Sequence, residues 1–281
     1  MSAAAQSVQH HLRGAEGVRI AVRALGDPQS LPIVFVHGWA SSSRAWTEQL
    51  TDLDLAARHR LIAVDLRGHG ASDVPLTGYD RASAWADDIA AVLAFAGAPA
   101  VLVGWSYGGL VITDYLRERG TAGVAGLVLV GALTELGRGH PGGAVGSAWD
   151  GIMRAVLSED PDEAVPALTT LAKRMAATPR PGAEIQRQVG EMLAVPPNVR
   201  KALFRRDVAS ADVLAAVDVP TLVVHGTDDT VVDPSSARYS AGKIPGAVVR
   251  WFSSTGHMPF TESREEFTAA LIEFAGSITT N

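Results

Sequence analysis

At 281 residues, 47% of them apolar, the chain is long enough to bury a large core, so one α/β domain with an insertion fits better than two independent domains. The lack of cysteine excludes disulfides, thiolate metal sites and a cysteine nucleophile. A net charge of −6, with no basic run interleaved with aromatics, argues against nucleic acid or an anionic membrane surface as partner and for a small molecule.

The chain opens, from Met1 to Gly14, on polar Gln6, Gln9, His10 and His11 where a secretory signal needs a continuous apolar core. No later stretch is long enough to span a bilayer, and together these features predict a soluble, cytoplasmic protein. Val18 to Leu25 reads as an outer strand ended by the turn Gly26-Asp27-Pro28. Short apolar runs bounded by turn residues then recur at Ile33–Val36, Leu61–Val64, Val101–Val103, Leu127–Val130 and Thr221–Val224, the pattern of strands buried on both faces. Between them Ala82–Ala96 is an amphipathic helix, with Trp85, Ile89, Val92 and Leu93 on one face and Asp87 and Asp88 near its positive end. The alternation predicts an α/β fold, a mostly parallel central sheet flanked by helices, with ligands at the carboxyl ends of the strands.

From Glu135 to Asp218 this rhythm breaks into glycines, prolines and helical pieces near Trp149–Leu157 and Ala164–Met175. The expectation is an insertion over the strand ends, acting as a lid or simply extending the fold. Val248–Phe252 reads as an edge strand. The last helix is marked by a Ser263/Glu266 capping box and a stripe of Phe267, Ala270, Leu271 and Phe274.

The chemistry starts at Ser106, in Gly104-Trp105-Ser106-Tyr107-Gly108, directly after the run Pro99–Val103 and before a helix. A strand running into G-x-S-x-G and then a helix is the context of a strained nucleophile turn, in which the glycines let the chain close and leave the hydroxyl exposed. A serine hydroxyl needs a base, and the base needs an acid to orient it. His257, in the turn after the last strand, is the best base; His37, His69 and His225 stand at strand ends or turns, and His10, His11, His59 and His140 in polar or loop context. For the acid, Asp228, Asp229 and Asp233 compete in the loop after Thr221–Val224. Asp229 is favoured, and Glu135, after Leu127–Val130, is the alternative. The backbone N–H groups of Tyr107 and Trp39 are the candidate oxyanion donors.

The segments His37-Gly38-Trp39, Asp65-Leu66-Arg67-Gly68-His69-Gly70-Ala71-Ser72, Gly104 to Gly109, His225-Gly226-Thr227-Asp228-Asp229 and Gly256 to Phe260 follow one another in a specific order. In them the chain resembles the α/β-hydrolase fold superfamily, its serine-nucleophile branch with a cap domain, from about Val18 to Gly276. The resemblance implies a core of residues 1–134 and 219–281 with a helical cap at 135–218. It also implies a structural turn at Asp65–Ser72, and the acid at Asp229, three residues after Gly226. Several motifs are similar to those of cofactor-free haloperoxidase-like esterases, acyl-homoserine-lactone lactonases and ring-fission hydrolases. Haloalkane dehalogenases and epoxide hydrolases carry aspartate where Ser106 stands, which disfavours both chemistries.

The resulting expectation is a serine hydrolase of a small carboxylic ester or lactone, working through an acyl-enzyme with Ser106, His257 and Asp229, without metal or organic cofactor. Trp149 and Met153 in the insertion, with Leu157, Met175, Met192, Leu193 and the base's neighbour Met258, are candidates to line an apolar substrate site. Carbon–carbon bond hydrolysis of a ring-fission substrate and peracid formation use the same three residues. A non-catalytic small-molecule receptor on this fold is the rival from another class.

Overall fold

The computed structural model describes residues 7–279; Met1 to Gln6 of the polar opening lie outside them. Among the described residues the strands are β1 (Val8–Arg13), β2 (Arg19–Leu25), β3 (Pro32–Val36), β4 (Arg60–Val64), β5 (Ala100–Trp105), β6 (Val124–Val130), β7 (Thr221–Gly226) and β8 (Val248–Phe252). They form one sheet in the order β1-β2-β4-β3-β5-β6-β7-β8. β1 and β2 are antiparallel to their neighbours, and the pairings from β4 through to β8 are parallel. Every residue of β3, β5 and β7 is buried, as continuous apolar runs demand of strands covered on both faces. The outermost strand is β1, not β2. Its Gln9, His10 and His11 hide it from a search for apolar runs, because an edge strand with mostly wet side chains needs only its backbone pairing.

The helices are α1 (Thr47–Leu50), α2 (Leu53–Arg58), α3 (Ala82–Ala96), α4 (Tyr107–Arg119), α5 (Met153–Val156), α6 (Pro161–Arg174), α7 (Gly182–Ala194), α8 (Pro197–Phe204), α9 (Ala211–Ala215), α10 (Pro234–Lys243), α11 (Pro259–Glu262) and α12 (Arg264–Thr279). No described helix is long and apolar enough to cross a membrane. In α3 the predicted face is buried, but Asp88 does more than sit near a helix start: its carboxylate takes a two-pronged ion pair from Arg67, at 2.7 and 2.9 Å, inside the core. Asp65 accepts from the N–H groups of Ser43 and Ala71, so the Asp65–Ser72 segment is held as a turn. The capping box at α12 does not form as predicted. The Ser263 hydroxyl lies 2.8 Å from that of Thr255, and so ties the helix start to the loop before His257.

Helices α5 to α9 lie between β6 and β7, the insertion expected there. Its neck is closed by a backbone bridge between Leu136 and Val208. Beside the neck, Arg206 makes a buried 2.7 Å ion pair with Asp114 of α4 and reaches the Tyr107 hydroxyl at 3.2 Å.

The chain moves from β3 outward to β4, then crosses to the other flank of β3 to make β5. A crevice must open at the carboxyl ends of β3 and β5, where the connections leave in opposite directions. Two buried imidazoles support the walls of this end of the sheet. His37 Nδ1 donates to the Gly38 carbonyl at 2.8 Å while its Nε2 accepts from the Leu66 N–H at 3.0 Å, and the His69 ring packs 5.1 Å away. Burial, helped by the nearby His37, pushes the His69 imidazole from the ordinary 6.5 down to about 3.

A folded-state value below the unfolded one means that the unfolded chain binds the proton more readily between those two values, so stability falls as pH drops from 6.5 towards 3. Thermal melts should therefore show a Tm that falls between pH 7 and pH 4. His69→Asn, which keeps a donor for the Arg67 carbonyl, should flatten that fall by on the order of 5 °C. An unchanged slope would assign the acid sensitivity to other groups.

Candidate active site

Ser106 stands between β5 and α4 with φ 55° and ψ −121°, a strained conformation for a residue with a side chain. The flanking glycines are required by close approach. A Cβ at Gly108 would lie 2.4 Å from the Val36 carbonyl oxygen, and one at Gly104 2.9 Å from the Gly109 nitrogen. Ser106 as a whole keeps only 8% of its surface. The loop after β3 crowds it: a Cβ on Gly38 would come within 2.9 Å of the Ser106 Cβ.

That loop also sets a peptide. With the Gly38 carbonyl held by His37, planarity turns the N–H of Trp39 the opposite way. Among the described residues, neither the Trp39 N–H nor the Tyr107 N–H at the start of α4 is spent in a hydrogen bond. The Trp39 ring packs against Trp149 at 5.8 Å and Phe204 at 5.3 Å, and its indole Nε1–H donates to the Arg200 carbonyl, so insertion and loop share one aromatic cluster.

His257 and Asp229 meet. Nδ1 of His257 lies 2.8 Å from Oδ2 of Asp229, while Oδ1 of Asp229 accepts from the N–H groups of Val231 and Val232 at 2.8 and 3.0 Å. Burial alone would raise the Asp229 carboxyl. The imidazoles of His257 and His225 beside it outweigh burial and hold it well below the usual carboxylate range. Nε2 of His257 is buried and has no hydrogen-bond partner among the described residues.

The rival acids are engaged elsewhere. Glu135 accepts from Ser210 N–H, the Tyr239 hydroxyl and Gly142 N–H; Asp233 caps α10; Asp228 holds the Thr227 hydroxyl.

Sequence reasoning missed several residues. Gly131, in the left-handed region at φ 48°, faces the dyad so closely that a Cβ would lie 3.1 Å from His257 Nδ1 and 3.2 Å from Asp229 Oδ2. Glu262 clamps the base loop, accepting from the N–H groups of Gly256 at 2.9 Å and Met258 at 3.0 Å. Its signal was an acid in the first turn of the helix opened by Pro259.

A cleft of about 330 Å³ opens beside Trp105 and Met258, the chain neighbours of Ser106 and His257. Its walls are more charged than the predicted apolar site, with Arg44 and Glu48 facing Arg180, Glu184 and Arg187 of the insertion. Met258 lines this cleft. Trp149 does not; it packs in the aromatic cluster with its ring N–H on the Val231 carbonyl, and Met153 at the start of α5 is likewise outside the lining. Among the described residues, no group of three or more His, Cys, Asp or Glu side chains could hold a metal ion.

Comparison with known proteins places the chain in a family. The model of the alpha/beta hydrolase family matches residues 33–270. The esterase RhEst1 from Rhodococcus sp. ECU1013 superposes with a TM-score of 0.92 at 45% identity, covering 96% of this chain and 99% of that one. A non-heme haloperoxidase of Rhodococcus erythropolis is 33% identical over 88% of this chain and 92% of its own. Est816, an N-acyl homoserine lactone degrading enzyme, superposes with a TM-score of 0.77 at 28% identity, over 94% of this chain and 100% of that one. The chain belongs to the alpha/beta hydrolase family and is a carboxylic ester hydrolase.

Proposed function

We propose that the enzyme hydrolyses a small carboxylic ester or lactone in the cytoplasm through an acyl-enzyme on Ser106. The observation that carries this reading is the 2.8 Å contact of Asp229 with His257 Nδ1, which leaves the buried Nε2 of the same ring without a hydrogen-bond partner among the described residues. His257 takes the proton of Ser106 as the hydroxyl attacks the carbonyl, then gives it to the leaving alkoxide. The N–H groups of Trp39 and Tyr107 receive the oxyanion. Water activated by His257 then releases the acid.

Residues 135–218 act as the cap. Contacts on both sides of the dyad support this role. Ala148 N–H and the Trp149 ring bond the acid loop, and the Met175 carbonyl accepts from His257 N–H at 2.8 Å. The cleft volume suits a small substrate, whose polar end would meet the charged wall while Trp105, Met258 and Phe260 receive its apolar part.

A panel of p-nitrophenyl esters of graded chain length, lactones and a ring-fission diketone tests the reading. Turnover of esters or lactones, with none of the diketone, is the expected result. Turnover of the diketone alone would replace ester cleavage with carbon–carbon cleavage. The likeness to a haloperoxidase favours a second use of the same acyl-enzyme, attack by hydrogen peroxide to give a peracid. Peroxide-dependent bromination of monochlorodimedone in acetate buffer reads it out.

A further inference from the structure

We infer that His225 is a positioning residue that fixes the carboxylate of Asp229 for His257. The inference rests on the reading of Ser106, His257 and Asp229 proposed above. His225 is the last but one residue of β7, with its side chain wholly buried, a place that in the sequence suggests only a structural histidine. Its Nε2 lies 3.2 Å from Oδ2 of Asp229 and 3.1 Å from the Val232 carbonyl. Both partners are acceptors. A proton on Nδ1 would find none, since that atom is buried and unpartnered, so the ring carries its proton on Nε2.

Asp229 is thus bonded at three points, Oδ1 by the N–H groups of Val231 and Val232 and Oδ2 by His257, and His225 Nε2, whose hydrogen bond goes to the Val232 carbonyl, stands against Oδ2 at 3.2 Å as a fourth contact. Without His225, Oδ2 would be held by His257 alone, and the carboxylate could tilt with that ring and carry Oδ2 out of its present line with His257. The ring of His225 is itself fixed edge-on by Trp251 of β8 at 6.0 Å, whose ring lies under Arg238 of α10. The charged and titratable groups around His225 are therefore Asp229 and Asp233 of its own loop, His257 beyond Asp229, and Arg238 beyond Trp251.

His225 also shares the negative charge of Oδ2. Removing its donor leaves more of that charge to His257 and favours the imidazolium, so the acid limb of the rate profile should move to higher pH. Histidine that served packing alone would alter stability and leave this limb in place.

The test is kcat, KM and the pH profile of His225→Leu and His225→Gln, with Tm for each. Leu should lower kcat at least about tenfold with KM unchanged and move the acid limb upward, the size of loss found when an outer partner of a working imidazole is removed. Gln places an amide N–H near the position of Nε2 and should restore most of kcat. A folded His225→Leu with the parent kcat and profile overturns the inference, as does Gln slowed as far as Leu. Should Leu not fold, His225→Asn replaces it, since its shorter amide reaches the Nδ1 position only; Asn as fast as Gln overturns the proposal. Ser106→Ala measured alongside separates the two claims. An active Ser106→Ala defeats the underlying reading, whereas an inactive one beside an unaffected His225→Leu defeats only the inference.

Discussion

Ser106→Ala should lower kcat by about a millionfold while leaving substrate binding nearly intact, the loss expected when the nucleophile of a serine–histidine–acid unit is removed. The strained turn at Ser106, the unpaired Nε2 of His257 and the unspent N–H groups of Trp39 and Tyr107 are the observations behind this expectation. An organophosphonate should therefore label the parent enzyme once, on the peptide carrying Ser106, and leave Ser106→Ala untouched. Ser41 lines the adjoining cleft, so the mapping must be done at peptide level. Full labelling of Ser106→Ala would move the nucleophile elsewhere.

Asp229→Asn should lower kcat by about ten-thousandfold, more than any other carboxylate change in the molecule. The physical reason is a reversal of donors. The Asn carbonyl can still accept from Val231 and Val232, but its NH2 then faces His257 where Oδ2 was. His257 answers by accepting at Nδ1 and carrying its proton on Nε2, and an Nε2 already protonated cannot take the proton of Ser106. Glu135→Gln, Asp228→Asn and Asp233→Asn should stay within about tenfold of the parent, because those carboxylates are bonded to other partners and touch no part of the dyad. Normal turnover by Asp229→Asn beside a crippled Glu135→Gln would assign the acid to the loop before the insertion.

The buried strands were legible because a strand covered on both faces carries a continuous apolar run, and β3, β5 and the Leu222–Val224 stretch of β7 do so. The same rule is silent about β1, whose partners are backbone groups and water. Helix α3 matched its predicted ends because its stripe is regular and Gly97 closes it in the left-handed region. At the site, Ser106, His257 and Asp229 were singled out by residue type, spacing and order, and the structure brings His257 and Asp229 within 2.8 Å of one another. Gly131 was not, because nothing in its neighbours betrays a glycine whose reason is a side chain 126 positions away (257 − 131). His225 was read as structural for a similar cause: its contact with Asp229 depends on how the four-residue turn after β7 curls back. The charged lining of the cleft was not legible, because sequence offers the insertion's apolar residues without saying that many of them pack inward, as Met175 and Met192 do.

The closed neck of the insertion bears on how such an enzyme can change its diet. The Leu136–Val208 bridge and the buried pair of Arg206 with Asp114 bind both ends of the inserted chain to the helix that follows the nucleophile. Rigid swinging of the whole insertion would break that pair, leaving an uncompensated buried charge, a penalty of about 3–5 kcal/mol. The wall of the cleft supplied by α7 carries no such buried ion pair, and its Glu184, Arg187 and Glu191 reach solvent while Ile185 and Val189 pack inward. Mutations there can alter which molecules are admitted while the reactive atoms stay in register, so new specificities should accumulate on α7 at little cost in stability. Random libraries confined to that helix are the place to seek them.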